Sequence, residues 1–218
     1  MRRVIAIDGP SGAGKSTVAR AIAQELGFDY LDTGALYRAI GLHLVRSGVD
    51  EDATDERVAA ALGPARVEFM RGKVFLNGSD VSDEIRTPEA GHYASVFSAR
   101  EPVREFLLDI QRDAALKSDL VAEGRDMTTV VFPDAFIKIY LDASAEERAR
   151  RRTLELLAKG FAVDEDRIRQ EIRERDERDS TRAVAPLRRA DDALHIDSSG
   201  CGKEEVLRKA LDIIRGRS

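Results

Sequence analysis

The chain reads as an α/β protein with a mostly parallel sheet and helices on both faces. Three observations predict this. Short β-branched runs such as Val4-Ile5-Ala6-Ile7 and Phe136-Ile137-Lys138-Ile139-Tyr140-Leu141 alternate with helical periodicities. Such alternation builds a parallel sheet covered on both sides. The first run leads directly into Gly9-Pro10-Ser11-Gly12-Ala13-Gly14-Lys15-Ser16-Thr17. This stretch has the G-x-x-x-x-G-K-[ST] spacing of a phosphate-binding loop, which acts between a strand and a helix. After it, Val18, Ile22 and Leu26 recur at helical spacing up to Gly27, so both flanking elements are predicted. At 218 residues, one domain spanning 1–218 with an insertion fits better than two full domains.

The loop has a definite chemistry. Gly9, Gly12 and Gly14 let the backbone curl so that several N–H groups point at one anion. The helix that follows adds unpaired N–H groups and a partial positive charge. Lys15 is placed to reach the β- and γ-phosphates of a bound nucleotide, and the Ser16 hydroxyl to ligate Mg2+. Pro10, Ser11, Ala13 and Thr17 complete the nucleotide-binding stretch. The competing reading, a Gly/Ser-rich turn with an incidental lysine, does not account for the flanking strand and helix. The loop by itself specifies a phosphate ligand and leaves kinase, switch and motor open.

The remaining elements follow in order. Tyr30-Leu31-Asp32-Thr33-Gly34 comes closely after the first helix. Thr33 is placed to N-cap the next helix, with Leu36, Ile40, Leu44 and Val45 apolar and Gly48 at its end. Asp50 to Asp55 is an acidic linker, and a shorter helix from about Thr54 to Leu62 stops at Gly63-Pro64. The character then changes. Val67 to Met70, Arg71-Gly72, Lys73 to Leu76 and Asn77-Gly78 read as short strands joined by tight turns. Ser79 to Thr87 continues in this style around Val81 and Ile85, so residues 63–98 read as a small β-rich insertion. Pro102 opens a helix with Val103, Phe106, Leu107 and Ile110 on one face. Leu120 to Glu123 is a short strand ending in Gly124-Arg125-Asp126. Ser144 to Glu147 is a capping box opening a helix, and a second charged helix spans about Asp164 to Arg178. Ala193 to Asp197 is a last strand. Lys203 to Arg215 is a last helix with Val206, Leu207, Ala210, Leu211 and Ile214 on one face. Sites in such sheets lie beyond the carboxyl ends of the strands. Asp8-Gly9, Asp32-Thr33 and Gly124-Arg125-Asp126 fall at such ends and are expected to meet in one crevice.

Arginines separate a phosphotransferase from a binding switch. Phosphoryl transfer needs positioning and positive charge, and a guanidinium grips phosphate in two places. Arg148, Arg151 and Arg152 share one helix face. Arg175, Arg178 and Arg182 follow at i, i+3 and i+7, with Asp179 beside them. Arg169, Arg173, Glu174 and Glu177 read instead as a solvated face. Lys159-Gly160 separates the two helices, and Gly160 is a candidate hinge. Residues 146–182 are therefore expected to form an arginine-bearing helical lid that keeps water from the γ-phosphate.

Composition narrows the classes further. The net charge of −5 argues against a general nucleic-acid binder. The single cysteine, Cys201, allows no intrachain disulfide and suits a reducing cytosol. Three scattered histidines offer no transition-metal site. No apolar run reaches membrane-spanning length, and Asp8 and Gly9 interrupt the run after Met1-Arg2-Arg3 too early for a signal peptide. The N-K-x-D motif of a guanine-nucleotide switch is absent.

The chain resembles the bacterial cytidylate kinases, which transfer the γ-phosphoryl of ATP to CMP or dCMP. The stretches that carry the resemblance are IDGPSGAGKST (Ile7 to Thr17), LDTGALYR (Leu31 to Arg38) and GSDVSDEIRTPE (Gly78 to Glu89). AEGRDM (Ala122 to Met127), TVVFPDA (Thr129 to Ala135), KIYLDASAEERARRR (Lys138 to Arg152) and ERDERDSTRAVAPL (Glu174 to Leu187) complete it over nearly the whole length. The resemblance implies a P-loop NTPase-type fold in which the 63–98 insertion binds the acceptor and the 146–182 region is the lid. It implies ATP and CMP or dCMP as substrates, Mg2+ with the ATP, and a cytoplasmic monomer with no nucleic-acid or membrane partner. Thr33 and Arg38 would bind the acceptor, Arg38 at its phosphate with Tyr37 adjacent. Ser95, Arg104 and Asp126 would read the cytosine ring, whose N4 amino group is a donor. Arg125 and Arg182 would bind phosphate, and Arg175 and Asp179 would lie at the ribose. Lys15, Arg148 and Arg152 would act on the transferring group. The alternatives are a kinase for another nucleoside monophosphate and a non-catalytic nucleotide switch.

One departure stands out. The family usually reads G-R-D-M-G-T, whereas this chain has GRDMTT. A glycine there would mark a positive φ or a close approach to substrate. Thr128 is therefore expected to be strained or crowded, and Thr128→Gly to raise activity or stability. Position alone makes Glu123 and Asp8 the candidate metal-supporting carboxylates.

Overall fold

The structure is a computed structural model that describes residues 2–70 and 72–217. Along the chain lie β1 (Val4–Asp8), α1 (Lys15–Leu26), β2 (Asp29–Asp32), α2 (Thr33–Arg46) and α3 (Asp55–Leu62). Next come β3 (Val67–Met70), β4 (Lys73–Leu76), β5 (Ser79–Asp80), α4 (Pro88–Phe97), α5 (Glu101–Lys117) and β6 (Leu120–Gly124). The last are β7 (Ile137–Asp142), α6 (Ala145–Ala158), α7 (Glu165–Thr181), β8 (Leu194–Asp197) and α8 (Lys203–Arg215). A short 3-10 turn, Glu84–Arg86, precedes α4, and a wide π-helical turn, Met127–Val131, follows β6.

The predicted α/β class holds. Five parallel strands are ordered β2-β6-β1-β7-β8. Ile5 of β1 sits opposite Val121 on one side and Ile137 on the other. Successive side chains of a strand point to opposite faces, and β1 is apolar on both. Ala6 joins the core under α2, α3 and α5, with Leu36, Ile40 and Leu107. Ile5 and Ile7 join the core under α1 and α8, with Ile22, Ile139 and Ala210. A strand covered on both faces must be apolar throughout, which is why β1 reads as an unbroken run. The strands extend to either side of β1, so the loop after it opens at the switch point where such sheets take ligands.

A second sheet, β3-β4-β5, is antiparallel. Asn77 and Gly78, at φ 50° and 82°, make the two-residue turn between β4 and β5. Arg71, half of the other predicted turn, lies outside the described residues. The strand style expected through Thr87 ends early, because β5 is two residues long and Glu84–Arg86 is a 3-10 turn, and Pro88–Phe97 is a helix within the expected β-rich insertion. Thr87 caps that helix by accepting from Ala90 N at 3.1 Å, and Pro88 occupies its first turn. Ala90, Ala94 and Phe97 form its buried face. The face meets α2 so closely that a Cβ at Gly41 would lie 3.1 Å from Tyr93 Cβ. Helices this short take their stability from such packing rather than from propensity.

Two local expectations are corrected. The cap of α2 is Asp32, which accepts from Ala35 N at 2.9 Å. Thr33 is the first residue of the helix and donates its hydroxyl to Glu123 O at 2.7 Å. The second charged helix runs on past Arg178 to Thr181. Helices α6 and α7 pack on each other through a small cluster of their own, Ala149, Ile168 and Ile172 with Leu156 and Val163. Among the described residues no helix is long and apolar enough to cross a membrane.

Candidate active site

The loop 9–14 leaves the carboxyl end of β1 and turns into α1. Lys15, the first residue of α1, is buried and donates to Pro10 O at 2.7 Å. Ser16 Oγ donates to Glu123 Oε1 at 2.5 Å, and Tyr30 Oη donates to the same oxygen at 3.1 Å. Burial, reinforced by repulsion from Arg125 and Arg175, pushes the Lys15 ammonium down to about 7. Burial and the neighbouring Asp32 push the Glu123 carboxyl up. Hydroxyl and carboxylate oxygens are the donors that a hard cation accepts. Among the described residues no group of three or more His, Cys, Asp or Glu side chains could hold a metal ion.

Asp8, the other carboxylate singled out by position, is committed elsewhere. Its Oδ1 accepts from Met127 N at 2.8 Å, and its Oδ2 accepts from Thr128 N at 2.7 Å and Thr128 Oγ1 at 2.6 Å. This overturns the expected strain at Thr128. Among described non-glycine residues only Asn77 and Ala185 have positive φ, and the Thr128 hydroxyl has a buried partner. Burial nonetheless pushes Asp8 up to about 6 from an ordinary 3.8. The native state therefore binds this proton more tightly than the unfolded chain. The contribution of Asp8 to stability is complete below about pH 4 and is lost as the pH rises through about 6. Asp8→Asn should remove that slope from a plot of Tm against pH. An unchanged slope would mean that burial does not govern this group.

Asp126 neither caps the following turn nor pairs with Arg125. It pairs with Arg104 and lies 3.8 Å from Arg182. Arg104 also donates to Ser98 O at 3.1 Å and lies over the Tyr37 ring at 5.7 Å. Arg182 donates from Nε and Nη2 to Ala185 O at 2.8 and 2.6 Å. Arg125 donates to Asp179 Oδ2 at 2.8 Å. Burial opposes the charge of Asp179, but Arg125 and then Arg175 outweigh it and hold the carboxyl below its ordinary range. Arg175 is pushed down to about 10 by burial and then by Arg125. Its Nε is buried with no hydrogen-bond partner, as is the Nε of Arg38. Arg38 meets Asp32 at 3.4 Å. Ser95 Oγ accepts from Arg178 at 2.5 Å, which ties α7 to α4. Contacts between Asp8 and Met127, Thr33 and Glu123, Arg104 and Asp126, Arg182 and Asp126, and Arg125 and Asp179 thus join the carboxyl ends of β1, β2 and β6 to α5 and α7.

The arginines of α6 divide. Arg148 is buried; it donates to Ala143 O at 2.9 Å and Ser11 O at 3.2 Å, and forks onto Asp176 at 2.9 and 2.6 Å. Arg151 donates to Ala13 O at 3.3 Å and to Ser198 Oγ and O at 3.0 and 2.6 Å. Arg152 pairs with Glu155 at 2.9 Å on a more exposed flank. Arg151 is therefore the second α6 arginine at the loop. Helical spacing put all three on one face and could not separate them. Asp176 carried no signal that distinguished it from the charged face around it, whereas Arg178 fell within the arginine cluster that the spacing picked out.

A family model described as cytidylate kinase matches residues 5–216. A cytidylate kinase of Fervidobacterium nodosum is 51% identical over 98% of this chain and 96% of its own length. One of Thermosipho africanus is 50% identical over 96% and 93%. A solved structure of an uncharacterized protein from Eubacterium ventriosum superposes with a TM-score of 0.50 at 14% identity, covering 98% and 99%, a likeness of fold alone. With its family matched from β1 to α8 and its phosphate loop at the switch point of the sheet, the chain belongs to the cytidylate kinase family and is a nucleotide-binding kinase of the P-loop type.

Proposed function

We propose that the chain transfers the γ-phosphoryl group of ATP to CMP or dCMP, giving ADP with CDP or dCDP. One observation carries the reading. Lys15 is buried beside the half-buried Arg125 and Arg175, and burial first, then the neighbouring like charges, bring Lys15 down to about 7 and Arg175 to about 10. Like charges held together away from water are stabilised by a polyanion, and two facing phosphate groups are one.

In this reading the N–H groups of residues 9–17 and the Lys15 ammonium hold the phosphates of ATP. Residues 63–98 act as the acceptor-binding part and 146–182 as the lid. Arg38, Arg125 and Arg182 hold the acceptor phosphate, one oxygen of which attacks the γ-phosphorus in line while ADP leaves. Arg175 and Asp179 face the ribose. Arg148, already at the phosphate loop, brings lid charge to the transferring group, and Arg152, on the exposed flank of α6, joins it when the lid closes over the nucleotides. Thr33 positions the acceptor. Ser16 with Glu123 fits Mg2+, an ion that takes few protein oxygens alongside phosphates; when bound it neutralises phosphate charge. Asp126 accepts from the cytosine N4 amino group, with Arg104 and Ser95 on the ring beside it. Uracil presents a carbonyl oxygen at that place, and a buried carboxylate facing it would lack its donor.

The test is turnover with Mg-ATP against CMP, dCMP, UMP, AMP and GMP. CMP and dCMP should exceed UMP by ~10²-fold in kcat/KM. Asp126→Ala should erase that preference and lower kcat/KM for CMP by ~10²-fold. Because the alanine leaves Arg104 without its buried partner, Asp126→Asn is run beside it and should show the same loss of preference. Hydrolysis of ATP with no acceptor phosphorylated would overturn the proposal.

A further inference from the structure

The wide turn Met127–Val131 begins with buried N–H groups that need acceptors. Asp126 occupies the N-cap position, where an aspartate side chain ordinarily supplies them. It makes no capping hydrogen bond; its carboxylate faces Arg104 and Arg182. The acceptors come from Asp8 instead, more than a hundred residues away in sequence, through its three hydrogen bonds from Met127 and Thr128. Asp8, Asp126 and Thr128 are 0%, 2% and 1% exposed, so water does not supply these partners in the folded protein.

We infer that Asp8 and Thr128 form a positioning pair: Asp8 caps the turn in place of Asp126, which leaves the Asp126 carboxylate to face the acceptor base. The inference rests on the proposed function in taking Asp126 as the base reader. Two carboxylates compete for one set of N–H groups, and the one that wins decides where the other points. Asp8 wins because β1 delivers it directly beneath the turn and because the Thr128 hydroxyl adds a third donor that Asp126 would not receive. Buried hydrogen bonds to a charged acceptor are the stronger kind. Asp8 also immediately precedes Gly9. The pair therefore ties the start of the phosphate loop to the loop carrying Arg125 and Asp126, and so references the two halves of the site to each other.

The test uses Thr128→Val, which keeps the side-chain volume and removes the donor, and Thr128→Ser, which restores it. Thr128→Val should weaken CMP binding measured calorimetrically by about tenfold, the scale of one hydrogen bond to a charged group. It should shrink the CMP-over-UMP preference by a similar factor and leave KM for ATP within about twofold. Thr128→Ser should lie close to the unsubstituted protein. A lowered Tm in Thr128→Val with CMP affinity and preference unchanged overturns the inference, as does an equal loss for ATP and CMP. Crystal structures of unliganded Thr128→Val and Asp8→Ala provide a readout independent of substrate. Asp126 turned onto the Met127 and Thr128 amides supports the pair, and Asp126 unmoved on Arg104 overturns it. Should Asp8→Ala not fold, Thr128→Val decides alone. A parent protein that binds no CMP overturns the proposed function, while the two structures still decide the inference.

Discussion

Lys15→Met is expected to lower kcat/KM by ~10³-fold, about 4 kcal/mol of lost transition-state stabilisation, with Tm unchanged or raised. The two halves of this expectation have one cause. Lys15 is buried beside Arg125 and Arg175, and the folded protein disfavours its charge enough to bring it to about 7. Methionine fills a similar volume and removes a repelled cation. The loss is one hydrogen bond to Pro10 O, worth ~1 kcal/mol. The same desolvation makes the ammonium effective against a transferring phosphoryl group, because charge acts more strongly where water is excluded. A polyanion at this site should pull the Lys15 proton back on. ATP binding at about pH 8 should then take up protons, read as a heat that varies with the ionisation enthalpy of the buffer, and Lys15→Met should lose this dependence. The stability linkage has the opposite sense to that of Asp8. Between the folded value of about 7 and the ordinary 10.5 the unfolded chain binds more protons, so this group adds stability as the pH rises through that window. A Tm that falls while kcat/KM stays within tenfold would make Lys15 a structural residue.

Gly9→Ala should be the most damaging single methyl in the molecule. A Cβ at Gly9 would lie 1.9 Å from Leu141 O and 2.9 Å from Leu141 C, and Gly9 sits at φ +149°. Both clashing atoms are backbone of β7, the strand hydrogen-bonded to β1, so no side chain can swing aside. Either β1 and β7 part at their carboxyl ends or the phosphate loop changes course. The expected cost is ~3 kcal/mol or more, about 10 °C in Tm for a chain of this size, with activity lost. Gly48→Ala is the control, because its φ is also positive but a Cβ there meets nothing. It should cost ~1 kcal/mol. Equal Tm losses for the two would show that backbone conformation, and not the contact with β7, dominates.

What the amino-acid sequence determined by itself was local. The phosphate loop is contiguous, and its glycines, lysine and serine act on one ligand from one turn of chain. The unbroken apolar run of β1 follows from burial on both faces. Ser144 caps α6, Asn77-Gly78 turns β4 into β5, and α8 shows its apolar stripe, because each depends on neighbours within a few residues. Tertiary structure decided what those elements face. Helix α4 exists because Ala90, Ala94 and Phe97 meet α2, a partner no local pattern names. Arg148 and Arg151 reach the phosphate loop while Arg152 does not, a difference set by where α6 lies against the loops that follow β1 and β8 rather than by its periodicity. Thr128, which reads from the sequence as a misfit, is held by Asp8 from the end of the neighbouring strand. A hydrogen bond between residues 120 positions apart leaves no periodic trace, because it depends on which strands lie side by side. In this fold β1 and β6 are such neighbours, and their pairing makes one site of the phosphate loop and the acceptor loop.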